Sequence, residues 1–363
     1  MTEIIELLKA YDFYDPVDTI ERVSMGNINM TYKIICSNGK KYILQRINNT
    51  VFTDVDGLME NIEKTTERLM ALKIQKSLDK MQVIKIKSTR DGKSFVFFNE
   101  KYYRVYEFMK GCQTFSYVSS LARIADAGRT FGDFFTLLNT GEPISLNCTI
   151  RDFHNTPLRL KKLEQSFEKA PKTHKKRAKS VYDYICENKK RVDLYHKKLK
   201  RLPVRIVHND TKISNIAFDC DTGEAIGVLD LDTVMPGYPA FDFADAVRSI
   251  AGPTREDERN HDLVSLNVDR YEAFADGYLQ SVKNEITKSE VMLFPEAVFQ
   301  ITVELAARFL TDYLDGNIYF NTEYEDQNFY RAICQASLAA DIDSKMKTLK
   351  KVAYNAYKTT NHV

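Results

Sequence analysis

Residues 204–251 read VRIVHNDTKISNIAFDCDTGEAIGVLDLDTVMPGYPAFDFADAVRSIA. Arg205-Ile-Val-His, Asn215-Ile-Ala-Phe and Ala225-Ile-Gly-Val-Leu-Asp are short apolar runs of strand character, and Thr222-Gly223, midway between Asn215 and Asp230, is the strong turn signal of the interval. A hairpin closed at that turn returns Asp230 beside Asn215, with Asp210 on the loop five residues before Asn215. Three oxygen-bearing side chains are then expected at one end. That donor set suits Mg²⁺, a hard cation that takes carboxylate and amide oxygens and fills its remaining positions with water and substrate phosphates. Asn215 and Asp230 are the expected metal ligands. Asp210 is placed to accept a proton from a substrate hydroxyl, the division of labour that phosphoryl transfer needs. A lone His-x-Asp or Asp-x-Asp is commonly structural; the specific signal is the conjunction of strand, His-x-Asp, Asn at plus five, hairpin, and a strand ending in Asp.

N-terminal to this stretch the pattern favours strands. Thr31-Tyr-Lys-Ile-Ile, Lys41-Tyr-Ile-Leu-Gln-Arg-Ile, Val83-Ile-Lys-Ile-Lys, Ser94-Phe-Val-Phe-Phe and Tyr102-Tyr-Arg-Val-Tyr make about five, several separated by Gly-containing turns such as Asn38-Gly39. Between the second and third, residues 54–72 place Leu58, Ile62, Thr65 and Leu69 at helical spacing, with acids in the first turn. After Gly111 the periodicity becomes helical, over Leu121–Leu138 and most of Val268–Tyr357. The expected fold is therefore α+β with two lobes: a small antiparallel-sheet N-terminal lobe over residues 1–108, a hinge over 109–113, and a larger, mostly helical C-terminal lobe over 114–363.

Composition narrows the function classes. With 363 residues, 44% hydrophobic and 28% charged, the chain is long enough to bury a sizeable core. Lys+Arg at 52 against Asp+Glu at 50 supplies no global field for nucleic acid or anionic lipid. The basic run Arg159–Arg201, with 16 Lys or Arg against 5 Asp or Glu, reads as a solvated helix face and lacks the interleaved aromatics that stack on bases. Six scattered cysteines show no metal spacing and read as free thiols; with no apolar run of membrane-spanning length and an acidic N-terminus, a cytoplasmic protein is expected. Asp91-Gly-Lys-Ser lacks the first glycine of a P-loop and reads as a turn.

At His208-Asn-Asp-Thr-Lys-Ile-Ser-Asn215 and Leu229-Asp-Leu-Asp-Thr-Val-Met-Pro-Gly237 the sequence resembles the aminoglycoside phosphotransferase and choline kinase superfamily, whose fold is that of the protein kinases. More narrowly it resembles the N-acetylhexosamine 1-kinases, through those residues and Gly26–Tyr32, Tyr42–Asn48, Asp54–Asn61, Ala240–Asp245 and Ala307–Leu314. The resemblance implies an ATP- and Mg²⁺-dependent enzyme that phosphorylates the anomeric C1 hydroxyl of N-acetylglucosamine or N-acetylgalactosamine. It implies Asp210 as catalytic base in contact with the acceptor, Asn215 and Asp230 as metal ligands, and Asp232 as a further ligand, directly or through water. His208 is expected to buttress the loop. The segment Gly26, Asn27, Ile28 and Asn29 would cover the nucleotide phosphates, although it has one glycine instead of a Gly-x-Gly-x-x-Gly, and Glu107 to Met109 would present backbone groups to the base. Arg46 is favoured as the phosphate-contacting cation, while strand alternation points Gln45 and Arg46 opposite ways; its helix-borne partner is left open among Glu60, Glu63 and Glu67. Arg308 would bind the sugar, with an i,i+4 pair to Glu304 or Asp312 as the plainer alternative, and Tyr313 and Tyr319 would stack on it.

Two alternatives remain at this point. One is a kinase of the same superfamily acting on homoserine, choline, methylthioribose or an aminoglycoside. The other is a non-catalytic pseudokinase, which the joint presence of Asp210, Asn215 and Asp230 disfavours. The expected partners are a nucleotide and a small sugar, with no nucleic acid or membrane, and the expected state is a monomer or weak homodimer.

Overall fold

The structure is a computed structural model and describes residues 2–13, 15–23, 28–252 and 254–360. They form two compact units. The first comprises Met1–Gln113, Gly141–Arg151 and Ala217–Pro236, and the second Thr114–Thr140, Asp152–Ile216 and Gly237–Val363.

In the first unit helix α1 (Thr2–Leu8) precedes an antiparallel sheet of β1 (Val17–Val23), β2 (Met30–Cys36), β3 (Lys41–Ile47), β4 (Ile86–Lys87), β5 (Val96–Phe98) and β6 (Lys101–Glu107). The order is β1-β2-β3-β6-β4, with β5 also on β6. Strand β1 goes beyond the expected set: it is an edge strand whose apolar residues Val17, Ile20 and Val23 recur every third position, so no period-2 signal marks it. Of Val83–Lys87, Ile86–Lys87 is the part that forms a strand on β6, and the Lys85 carbonyl accepts from Glu107 N just before it. Helix α2 (Val55–Gln75) follows β3; the Asp54 carboxylate caps it, accepting from Gly57 N at 2.9 Å, and Leu58, Met59, Ile62 and Leu69 are buried. Because residues paired across an antiparallel ladder share a face, Leu44 and Val105 lie on one side with Arg46 and Tyr103, packed with Leu7, Leu8 and Tyr11. Gln45 and Arg104 lie on the other side with Ile43 and Tyr106.

Residues 217–236 fold with this sheet unit. Ile216–Asp219 and Ala225–Val228 form the expected hairpin, and Cys112–Gln113 adds a third strand with Cys112 opposite Asp219. The turn falls at Thr222-Gly223: Gly223 has φ +72°, where a side chain would be strained, and the Asp219 carboxylate accepts from the backbone of Asp221 and Thr222.

The second unit is helical: α3 (Leu121–Asn139), α4 (Thr156–Lys169), α5 (Lys172–Glu187), α6 (Lys189–Leu199), α7 (Pro239–Ala251), α8 (Val268–Val282), α9 (Lys288–Val291), α10 (Phe294–Leu314), α11 (Gln327–Ser344) and α12 (Met346–Thr360). Its centre is Phe243 of α7, in ring contact with Tyr271, Phe274 and Tyr278 of α8 and with Phe294 of α10. Helices α3 and α8 pack backbone to backbone. A Cβ on Gly277 would fall inside the Ala125 carbonyl, and one on Gly128 would lie 2.5 Å from the Phe274 carbonyl. The basic run occupies α4 to α6. It buries Ala178, Val181, Ile185 and Val192 and pairs its cations with acids, Lys189 with Glu164, Arg191 with Glu296 and Asp343, and Arg177 with Asp326. Among the described residues no helix is long and apolar enough to cross a membrane.

Candidate active site

In the helical unit, the strand Arg205–Val207 delivers a loop, and a single 3₁₀ turn over Ile213–Asn215 ends it. Asp242, in the first turn of α7, holds the loop from beneath. Its two carboxylate oxygens accept separately from the backbone N–H of His208 at 2.9 Å and of Asn209 at 2.7 Å, and its carbonyl accepts from the Thr211 hydroxyl at 2.5 Å. The His208 ring is fully buried edge-on to Phe131 and Phe134, and its Nδ1 accepts from Asp210 N at 3.3 Å. Asn209 sits at φ +65°, a left-handed conformation that asparagine tolerates better than most residues. The Asn209 carbonyl meets Nε2 of His154 at 3.2 Å, while His154 Nδ1 faces Glu304 at 3.4 Å and Glu304 also accepts from Thr156 at 2.8 Å.

This over-determined loop presents Asp210. Oδ2 accepts from Lys212 Nζ at 2.8 Å and from Asn215 Nδ2 at 3.0 Å, and among the described residues no protein group donates to Oδ1. Burial pushes the Asp210 carboxyl up, but Lys212, the His208 imidazole and the Asn215 amide together hold it below the ordinary carboxylate value. Asn215 turns its Nδ2 toward Asp210, which also leaves its carbonyl Oδ1 without a protein donor among the described residues.

The sheet unit holds the second set. Asp230, at φ +59°, ends the hairpin strand and starts a 3₁₀ turn over Leu231–Thr233. Within residues 204–251, Asn209 and Asp230 are the two non-glycine residues with positive φ, each at or beside an expected functional carboxylate. Asp232 is buried; its Oδ2 accepts from Asn29 Nδ2 at 2.6 Å, and its Oδ1 lies 2.6 Å from Nη2 of Arg104 in an ion pair whose N–H is not aligned for a hydrogen bond. Asn61, fully buried on α2, ties the segment down by donating to the carbonyls of Asn147 and Val234 at 2.8 and 3.0 Å. Arg104 and Asn61 were not singled out by sequence reasoning. Arg104 lies in a run that reads simply as a strand, and the available signal was an arginine at a position that alternation sends to Gln45's face.

The other expected residues are placed as follows. Gly26 and Asn27 lie outside the described residues. Ile28 is exposed, and Asn29, besides donating to Asp232, accepts from Asn48 N at 3.0 Å. Arg46 shares its face with Tyr103 and is directed away from Gln45. Glu107 and Met109 stand at the end of β6, where Glu107 N donates to the Lys85 carbonyl and the Met109 carbonyl accepts from the Cys112 thiol. Of the three helix-borne candidates, Glu60 binds Lys64 and Asn147; the carboxylate beside Arg104 is that of Asp232. Arg308 makes neither of the helix pairs considered above: Glu304 is taken by His154 and Thr156, and Asp312 accepts from the backbone of Tyr319 and Phe320 and from Asn328. Its guanidinium instead lies among the rings of Phe153, Tyr319 and Phe320 at 5.4–5.9 Å. Tyr319 is 55% exposed beside it, whereas Tyr313 is buried with His174, Arg177 and Phe329.

Taken separately, the carboxylates of Asp230 and Asp232 in the sheet unit and the Asn215 carbonyl in the helical unit, which has no protein donor among the described residues, are oxygen donors of the chemistry a small hard cation such as Mg²⁺ takes. Among the described residues no group of three or more His, Cys, Asp or Glu forms a closed protein cage, the kind of site Mg²⁺ rarely uses.

Comparison with known proteins agrees with the fold. The model of the phosphotransferase enzyme family matches residues 19–278. Among solved structures, a microcompartment-associated aminopropanol kinase is 16% identical over 96% of this chain and 98% of its own, with a TM-score of 0.64. An aminoglycoside phosphotransferase from Alicyclobacillus acidocaldarius is 15% identical over 96% and 95%, with a TM-score of 0.59. An ethanolamine kinase from Plasmodium vivax is 17% identical over 87% and 82%, with a TM-score of 0.53. At such identities the likeness is one of fold, the two-lobed α+β fold of kinases.

Proposed function

The chain belongs to the phosphotransferase enzyme family, and on that premise we propose that it transfers the γ-phosphoryl group of ATP, with Mg²⁺, to the anomeric C1 hydroxyl of an N-acetylhexosamine. The sheet unit is assigned to the nucleotide and the helical unit to the acceptor. The observation that carries the acceptor class is Arg308: a guanidinium that forms no salt bridge among the described residues, set among three aromatic rings. Such a fork donates to hydroxyl and acetamido oxygens and repels the ammonium group of choline or an aminoglycoside. The exposed ring of Tyr319 offers the pyranose an apolar face.

Asp210 Oδ1, the oxygen without a protein donor among the described residues, accepts the proton of the C1 hydroxyl. As the new O–P bond forms, the bond from the γ-phosphorus to the β–γ bridging oxygen breaks and ADP leaves. Lys212 and Asn215 hold the other oxygen and fix the carboxylate plane. A carboxylate with a lowered pKa is a weak base, and an anomeric hydroxyl, more acidic than an ordinary alcohol, is a matched partner for it. Asn215, Asp230 and Asp232 are the groups assigned to Mg²⁺, which when bound neutralises charge on the transferring phosphoryl group.

The test is ADP release by the purified chain with ATP, Mg²⁺ and each of N-acetylglucosamine, N-acetylgalactosamine, galactose, homoserine, choline, ethanolamine and kanamycin. N-acetylhexosamine-dependent release, with a KM for the sugar raised about tenfold or more in Arg308→Met and the KM for ATP unchanged, is expected. Release with an amino alcohol or aminoglycoside alone would overturn the acceptor assignment.

A further inference from the structure

Among the described residues Arg104 is the one cation of the largest fully buried side chains. A guanidinium out of water is costly unless its charge and donors are met. Nε and Nη2 donate to Gln45 Oε1 at 3.1 and 2.8 Å, Nη2 pairs with Asp232, and the Tyr106 ring lies 5.1 Å away. The Nη1 edge, with two N–H groups, has among the described residues only the Met59 thioether at 3.8 Å, a weak acceptor. A buried, always-charged fork thus keeps two donors without an oxygen partner, beside the Asp230–Asp232 segment and the Asn29 side chain.

The strand that feeds this face carries a neutral residue, Gln45, and its neighbour Arg46 is directed to the opposite face of the sheet. We propose that Arg104, supplied from β6, is the residue that binds the nucleotide phosphates, with Gln45 and Asp232 fixing the plane of its guanidinium so that the Nη1 edge donates to a phosphate oxygen. This rests on the phosphotransferase reading and deepens it. Gln45, with one oxygen accepting two guanidinium donors, becomes a positioning residue. Asp232 joins the phosphate-binding cation to the segment that carries Asp230.

Equilibrium titrations of adenosine and ADP in EDTA test this without turnover or metal. The chains compared are the parent, Arg104→Gln, Arg46→Gln, and the double variant Arg104→Met with Asp232→Asn. The double variant matters because Arg104→Gln alone leaves a buried carboxylate unpaired, whereas removing both charges leaves no buried charge unpaired. The expected result is a loss of about tenfold or more in ADP affinity in both Arg104 variants, with adenosine affinity within about twofold of the parent. Adenosine lacks phosphates, so an equal loss of both ligands marks a merely structural role and overturns the proposal. ADP affinity retained in both Arg104 variants, or lost in Arg46→Gln instead, overturns it alone and leaves the phosphotransferase reading standing. Absence of ADP binding by the parent overturns both.

Discussion

Asp242 shows how one buried side chain sets a reactive loop. Two backbone N–H groups end on its two oxygens, an arrangement only a carboxylate satisfies, because an amide would turn N–H against N–H at one of them. Asp242→Asn should therefore cost about 1–3 kcal/mol in denaturant unfolding. Burial pushes this carboxyl from its ordinary 3.8 up to about 6, against the pull of His208 and the two N–H donors. A raised folded-state pKa means that the native chain holds the proton more tightly than the unfolded one. The stability this contributes is present in full below 3.8 and is lost as pH rises through about 6. The parent's stability advantage over Asp242→Asn should narrow accordingly between about pH 4 and pH 7; an advantage that widens would contradict the argument. The place of Asp210 on the loop before Asn215 and the hairpin was legible in sequence because strand runs on either side and the turn at Thr222-Gly223 fix where the loop falls. The pair of backbone bonds that Asp242 accepts was not legible, since it joins residues 33 and 34 positions apart in sequence. The left-handed backbone at Asn209 and Asp230 was not either, since nothing in those residue types requires it. Asp210→Asn keeps the shape and removes the proposed base: turnover should fall on the order of 10²–10⁴-fold, with nucleotide affinity unchanged in a binding titration.

Among the elements, α3 and α8 carry the helical unit through backbone contact, so glycine there is a matter of space. Gly277→Ala places a methyl into the Ala125 carbonyl and should destabilise by about 3 kcal/mol, read as a lower urea midpoint at unchanged m-value. A change under about 0.5 kcal/mol would mean that the helices can separate at no cost. Helices α2 and α3 were legible because their apolar residues recur at helical spacing and side-chain caps, Asp54 and Ser120, precede them. Strand β1 was hidden by its polar edge position. On the sheet, period-2 alternation separates Gln45 from Arg46 but does not say which face matters; that required knowing that α1 covers Arg46's side while Arg104 and Asp232 lie on the other. Arg104 itself was concealed by a sound rule, that charged residues stay outside, which fails where a buried acid and amide are built to receive one.

For the whole molecule, the family match over residues 19–278 and the observed α+β architecture agree with what strand-rich and helix-rich composition implied. The acceptor class could not come from that level, because relatives of one fold act on different hydroxyls; it rests on a few side chains, Arg308 foremost. Mg·ATP at about a hundredfold its Kd should stabilise the chain by about 2.7 kcal/mol, seen as a concentration-dependent rise in Tm that EDTA reduces. A Tm indifferent to nucleotide would remove the donor. The central claim, phosphoryl transfer to an anomeric hydroxyl with Asp210 as base, is tested most directly by ³¹P NMR of the product formed from ATP, Mg²⁺ and N-acetylglucosamine or N-acetylgalactosamine. A new phosphorus resonance split by the anomeric proton, present with the parent and lost with Asp210→Asn, is the predicted result. A phosphorus coupled to any other sugar proton, or a signal that survives in Asp210→Asn, would contradict it.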